Sequence, residues 1–156
     1  GNKSLPLLKK VFEWGWEVRP SQPLSSGVWS LALSDLNKFQ VENSDIITYH
    51  NYESPEKHQA AIDTLKKYNR PLVCTEYMAR RNNSLFTNIM PILKEQNIGA
   101  INWGLVSGKS NTKYAWDEPI ADGSEPKLWF HEIFHPDGTP YKQEEVDLIK
   151  SLTQTK

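Results

Sequence analysis

Residues 71–77 read Pro-Leu-Val-Cys-Thr-Glu-Tyr, a short apolar segment that ends in a carboxylate. Side chains alternate between the two faces of a strand, so Leu72, Cys74 and Glu76 share one face. Both faces stay largely apolar until Glu76, which is typical of a parallel strand buried on both sides. Because α/β proteins place their chemistry at the carboxyl ends of such strands, we expect Glu76 to be a functional carboxylate.

Three further segments of the chain carry the pattern of short strands, and their predicted ends fall at Trp29, His50 and Trp103. Together with Glu76 these ends recur at nearly regular intervals, and helical patterns lie between them. Strands that alternate with helices indicate an α/β fold with a parallel sheet. A closed (β/α)8 barrel needs about 250 residues. Four βα units in 156 residues therefore predict a half barrel or a small open sheet, in one domain over residues 1–156.

The composition is that of an ordinary soluble globular protein, with 38% hydrophobic and 24% charged residues and a net charge of −1. This charge gives no reason to expect nucleic acid or an acidic membrane as a partner. No apolar run approaches the ~18 residues of a membrane span. The first four residues, Gly-Asn-Lys-Ser, lack the features of a signal peptide, so we expect any targeting segment to lie upstream.

Aromatic and histidine side chains accompany the predicted strand ends, where Glu76 stands. They are Trp29, His50, Tyr52, Trp103 and, in the long loop 104–127, Trp116. Indole and phenol rings stack on sugar rings, and a carboxylate can attack an anomeric carbon while a neighbouring His or Tyr keeps it ionised. The alternative is that Glu76 is simply ion-paired, with Arg80 or Arg81 as its partner.

Three motifs then follow one another in order: His50-Asn51-Tyr52, Thr75-Glu76-Tyr77 and Asn102-Trp103-Gly104. They resemble the second half of a clan of retaining β-glycosidases built on the (β/α)8 barrel. The similarity is greatest to the cellulase-like and xylanase-like glycoside hydrolase family 5. The chain's last part, over residues 129–131 and 136–141, also resembles the way such domains close.

The resemblance implies a fold, a reaction and a set of roles. The fold would be the C-terminal half of the barrel, strands 5–8 with their helices. The reaction would be hydrolysis of a β-linked polysaccharide by a secreted or periplasmic enzyme that needs no cofactor or metal. Glu76 would be the nucleophile, oriented by His50 and Tyr52. Trp103 would stack beneath the sugar, with Trp29 and Trp116 as further substrate-binding residues.

The chain departs from the family at the acid/base. These enzymes take it from an Asn-Glu pair at the end of strand four, and no Asn-Glu dipeptide occurs in this sequence. The resemblance therefore implies a missing N-terminal half that supplies the second carboxyl, and predicts that this chain alone is inactive. A half barrel would also leave open strand edges and an uncovered inner face, which predicts either a dimer or a collapsed half barrel whose inner residues pack on each other.

Two alternatives to the glycosidase stay open. Residues 131–135 read His-Glu-Ile-Phe-His and match the zinc signature H-E-x-x-H, on a helix predicted over residues 128–135. That pattern would make the chain a zinc metalloprotease, but Tyr141 occupies the position of a third histidine and Pro136 ends the helix. The other alternative is a non-catalytic sugar-binding module that retains the aromatic residues.

Overall fold

The structure is a computed structural model, and it describes residues 2–30 and 33–154. In these ranges the chain forms three strands, β1 (Ile47–His50), β2 (Leu72–Glu76) and β3 (Gly99–Ala100). It also forms five α-helices, α1 (Leu5–Val18), α2 (Ser34–Asn43), α3 (Pro55–Leu65), α4 (Phe86–Glu95) and α5 (Gln143–Thr153). Three 3-10 turns lie at Asn2–Ser4, Lys66–Tyr68 and Arg80–Asn82. Within the described ranges, no helix is long and apolar enough to cross a membrane.

The strands form one parallel sheet with β2 at its centre. Ile47 pairs with Leu72, and on the other side Cys74 pairs with Ala100. The register of β1 shifts at its end, so that His50 lies opposite Glu76. The shift brings the last side chains of both strands to one edge of the sheet.

The predicted C-terminal half of a (β/α)8 barrel is wrong. Among the described residues the sheet has three strands, and residues 27–30 contribute an isolated bridge between Val28 and Tyr49. The predicted strand over residues 98–105 pairs as a strand only at Gly99–Ala100. The physical reason is that these segments pair with their neighbours over one or two residues only, so no continuous ladder of hydrogen bonds forms. An α/β chain with a parallel sheet remains.

The helix predicted over residues 128–135 is also wrong. This segment is irregular, and Phe134 forms isolated bridges with Val106 and Pro140. Its backbone bonds to the long loop instead of to itself: the N–H groups of Phe130 and His131 donate to the carbonyls of Lys113 and Thr112. Long-range partners therefore replace the local hydrogen bonds that a helix needs.

The core lies where α3, α4 and α5 pack against the sheet. It is formed by buried apolar side chains that include Ile47, Tyr49, Ile62, Leu72, Cys74, Met78, Phe86, Ile89, Leu93, Ile133 and Val146. The predicted start of α3 at Ser54-Pro55 is confirmed, because Pro55 opens the helix with its fixed φ.

A buried ion pair anchors the chain that leaves β2. The Arg80 guanidinium donates to both carboxylate oxygens of Glu145 in α5, at 2.9 and 2.5 Å. The same guanidinium donates to the carbonyls of Trp129 and Glu132, at 3.0 and 2.8 Å. Arg80 thereby joins the end of β2, the segment 129–132 and α5 into one unit, which holds the site in place.

Candidate functional site

Glu76 is the last residue of β2, and its side chain is 20% exposed. Its Oε2 accepts a hydrogen bond from the Tyr52 hydroxyl at 2.5 Å and lies 3.1 Å from Nδ1 of His50. Among the described residues Oε1 has no hydrogen-bond partner. One carboxylate oxygen is therefore held by two groups, and the other is left for an incoming group.

The backbone explains why these three side chains meet. β1 ends at His50, opposite Glu76, and the N–H of Asn51 donates to the carbonyl of Glu76 at 2.9 Å. The chain leaves the sheet at this point, which carries Tyr52 over the end of β2. The spacing His-x-Tyr thus places one side chain beside the carboxylate and the other above it.

The electrostatics keep Tyr52 a donor. Burial raises the pKa of Tyr52, and its hydrogen bond to the negative charge of Glu76 raises that pKa further. The phenol is therefore protonated at any ordinary pH. Tyr52 is therefore a permanent hydrogen-bond donor to Oε2 of Glu76.

A cluster of rings covers Tyr52. The Trp116 ring meets it edge-on with centroids 4.8 Å apart, and the His131 ring lies 5.5 Å from it. Trp116 also contacts the rings of His131 at 5.3 Å and Phe130 at 4.7 Å, yet its side chain remains 59% exposed. Trp116 therefore supports Tyr52 with part of its ring and presents the rest to solvent.

Arg81 holds the loop that carries Trp116. Its guanidinium pairs with Asp117 and with Glu118, the latter at 2.7 Å. The prediction that Arg80 or Arg81 would pair with Glu76 is wrong, since Arg80 bonds Glu145 and Arg81 bonds the loop. The adjacent acids Asp117 and Glu118 are the feature of the sequence that indicates an ion pair between this loop and an arginine.

A cavity of about 800 Å³ opens beside the carboxylate. Its walls include Trp29, His50, Tyr52, Trp116 and, along α3, Ala60, Ala61 and Leu65. Neither Glu76 nor Trp103 is among the wall residues. The cavity thus opens onto the two groups that hold the carboxylate and not onto the carboxylate itself.

The candidate residues fall into two groups by position. The structure brings His50, Tyr52, Glu76 and Trp116 into direct contact, and Trp29 faces the same cavity with 69% of its side chain exposed. Trp103 is half exposed and lies beyond β3, outside the cavity wall. Cys74 is fully buried behind Glu76.

The H-E-x-x-H segment does not adopt the geometry of a zinc site. Its residues are not helical, so His131 and His135 do not stand one helical turn apart. His131 uses Nδ1 to bond the carbonyl of Met78 at 2.5 Å, and the His135 ring packs 4.5 Å from that of Trp129. Among the described residues, no group of three or more His, Cys, Asp or Glu side chains is arranged to hold a metal ion.

Comparisons of the chain with protein-family models, with curated proteins and with solved structures gave no match.

Proposed function

We propose that this chain carries the nucleophile of a retaining β-glycosidase that hydrolyses a β-linked polysaccharide. The observation that carries the proposal is the pair of contacts on Oε2 of Glu76, from Tyr52 at 2.5 Å and His50 at 3.1 Å. A nucleophilic carboxylate must be fixed in direction, and the hydrogen bond from Tyr52, together with the close His50 imidazole on the same oxygen, fixes Glu76 in this way. The same three residues carry two of the three motifs of the resemblance.

In this mechanism Oε1 of Glu76 attacks the anomeric carbon and displaces the leaving sugar, forming a covalent glycosyl-enzyme. A second carboxyl, about 5 to 5.5 Å from the first, protonates the leaving oxygen and then activates the water that hydrolyses the intermediate. The exposed indoles of Trp29, Trp103 and Trp116 offer faces on which sugar rings stack.

The second carboxyl is assigned to a segment outside the described residues. Glu53, on the cavity wall, is paired with Lys57 at 2.8 Å, and Asp117 and Glu118 are paired with Arg81. All three carboxylates are thus engaged in ion pairs with side chains of this chain and do not contact Glu76. The role is therefore left to a carboxyl outside these residues, and this chain alone is expected to be inactive.

The test is covalent trapping in the complete protein. A 2-deoxy-2-fluoro-β-glycoside with a good leaving group forms a long-lived glycosyl-enzyme, which peptide mass spectrometry locates. We expect the label on Glu76 and a fall in kcat of at least about 10⁴-fold for Glu76→Gln. Glu53→Gln is the matched control, because Glu53 lies nearby but is ion-paired.

Two outcomes would overturn the proposal: a label on another carboxylate, or a Glu76→Gln variant that keeps its rate. A further readout uses Glu76→Gly with added azide. An azide ion in the vacated space is expected to attack the same carbon and to give a glycosyl azide of inverted configuration.

A second candidate function is a sugar-binding module without catalysis. It is favoured by the cavity, which is lined by Trp29 and Trp116 but not by Glu76. Calorimetric titration with β-linked oligosaccharides separates the two functions. Binding that is lost in Trp116→Ala but unchanged in Glu76→Gln, with no turnover in the complete protein, would favour the module.

A further inference from the structure

His131 is a fully buried histidine that the proposed mechanism does not use. Its Nδ1 lies 2.5 Å from the carbonyl oxygen of Met78, two residues beyond Glu76. A carbonyl can only accept, so Nδ1 carries the proton and donates it. The contact ties the segment 129–135 to the chain just after the nucleophile.

The His131 ring also supports the phenol that holds Glu76. Its centroid lies 5.5 Å from that of Tyr52 and 5.3 Å from that of Trp116. The ring therefore contacts Tyr52 and Trp116, while its Nδ1 contacts the backbone carbonyl of Met78, just after the end of β2. Loss of the ring would free both Tyr52 and the Met78 carbonyl.

The charges around His131 keep the imidazole neutral. Burial lowers the pKa of His131, the Arg80 guanidinium lowers it further, and the Met78 carbonyl and the Glu76 carboxylate oppose this. The net direction is down. Nε2 is buried and has no hydrogen-bond partner among the described residues, so a proton there would lack an acceptor.

We propose that His131 is a positioning residue for Glu76: the neutral imidazole holds the end of β2 through the Met78 carbonyl and backs the Tyr52 ring, which fixes the Tyr52–Glu76 hydrogen bond. Its role as support for a nucleophile depends on the proposed function, but its effect on the hydrogen bond does not. The two can therefore be tested separately.

The experiment follows the titration of the Glu76 carboxyl carbon by NMR in the chain as given, with Glu76→Gln to assign the signal. His131→Phe keeps a ring but removes the N–H that bonds the Met78 carbonyl, and we expect the Glu76 midpoint to rise because the Tyr52–Glu76 hydrogen bond is weakened. His131→Asn retains a side-chain N–H near the position of Nδ1 but lacks the ring that backs Tyr52, so it should bring the midpoint only part of the way back to the wild-type value.

Two controls separate positioning from general packing. Tyr52→Phe should also raise the Glu76 midpoint. The double variant His131→Phe/Tyr52→Phe should raise it no further than Tyr52→Phe alone, because both changes act on the same Tyr52–Glu76 hydrogen bond. His58→Phe alters the other fully buried histidine, which contacts Tyr49 in the core, and should leave the Glu76 midpoint unchanged.

A folded His131→Phe variant with an unchanged Glu76 midpoint would overturn the proposal, and so would additive effects in the double variant. If His131→Phe does not fold, the proposal is tested on the wild-type chain by NMR of the His131 ring. The ¹⁵N shifts of His131 should report a neutral ring with its proton on Nδ1, and the opposite tautomer or a charged ring at pH 7 contradicts the proposal.

Activity of the complete protein distinguishes this inference from the proposed function. His131→Phe should lower kcat with little change in KM, and His131→Asn, which restores the N–H but not the ring, should recover part of the rate. If Glu76→Gln keeps its rate while the titrations behave as expected, the glycosidase proposal fails and the positioning role of His131 stands.

Discussion

His58 in α3 is the residue whose burial most directly predicts a solution property. Its side chain is fully buried, with Nε2 3.1 Å from the Tyr49 hydroxyl and Nδ1 lacking a partner among the described residues. Burial lowers the pKa of His58 to about 4. The unfolded chain keeps the ordinary histidine value of about 6.5, so between these values it binds more protons than the folded chain.

Folding stability is therefore expected to fall as the pH drops from about 7 toward 4. The full difference in pKa corresponds to about 3 kcal/mol of unfolding free energy. Urea denaturation at pH 7 and at pH 4.5 measures the loss. In His58→Gln the titrating group is absent, so the stability lost between pH 7 and pH 4.5 should shrink by about 2 kcal/mol, the part of the full difference that falls in this window. A slope equal to that of the wild type would contradict the assignment. His131 titrates in both proteins and cancels in the comparison.

At the scale of elements, the long loop after β3 is held at several points rather than by secondary structure of its own. Arg81 pairs with Asp117 and Glu118, and the backbone of Lys113 and Thr112 bonds the segment 129–131. These attachments place Trp116 over Tyr52. Exposed ion pairs contribute at most about 1 kcal/mol each, so the loop's position depends on the sum of its contacts.

Gly104 lies at the start of this loop, four residues after the end of β3, and it offers a matched test. Its φ is +91°, and a Cβ there would lie 2.7 Å from Oγ1 of Thr112 and 3.1 Å from Cβ of His131. Gly138 has a similar φ of +84°, but a Cβ there would meet nothing within 4 Å. Backbone strain of this kind costs about 1 to 3 kcal/mol.

We therefore expect Gly104→Ala to destabilise the chain by clearly more than Gly138→Ala, because only the former adds a collision to the strain. Thermal or urea denaturation of the two variants gives the difference directly. Gly104→Ala should also shift the NMR signals of Trp116 and His131. Equal losses of stability in the two variants would show that the loop does not pack against Gly104 in this way.

For the whole molecule, the sequence predicted the parts that depend on local pattern. β2 and the start of α3 follow from an apolar run and from a Ser-Pro pair, and both are confirmed. The contact of His50 and Tyr52 with Glu76 agrees with the predicted strand ends, although the roles of these residues remain predictions.

The predictions that were wrong concern segments whose conformation depends on hydrogen-bond partners distant in the sequence. The pattern over residues 128–135 resembles a helix, but its N–H groups bond to loop residues that no local signal identifies. The strand count failed because a run of three residues near Trp29 and a longer run after Ala100 do not by themselves reveal how many ladder bonds form. The contact of Trp116 with Tyr52 depends on the path of the 104–127 loop, which the sequence leaves open.

The exposed surface of the molecule also bears on self-association. A dimer through open strand edges was expected from the sequence, but the edge strand β3 has only two residues, and the bridge at Val28 covers one position of β1. Helix α1 offers a better surface. Leu7, Val11, Trp14 and Val18 lie along one side of it and are 63%, 48%, 55% and 79% exposed.

The spacing of these four residues, four then three then four, reads the same in both directions. In an antiparallel pair of α1 helices Leu7 would therefore face Val18, and Val11 would face Trp14, with the same contacts formed twice. A two-fold dimer needs such a self-complementary patch. We expect the chain to form a weak dimer through α1.

Sedimentation over a range of concentrations measures this. The wild-type mass should rise above the monomer value of 18.0 kDa as concentration increases. Trp14→Lys should hold the chain at that value, because it places a charge in the centre of the apolar contact. Glu17→Lys is the control: it also adds positive charge to α1 but leaves the four apolar residues intact, so the dimer should persist. A wild type that stays monomeric at every concentration, or a Glu17→Lys variant that dissociates as fully as Trp14→Lys, would rule out the apolar stripe as the contact.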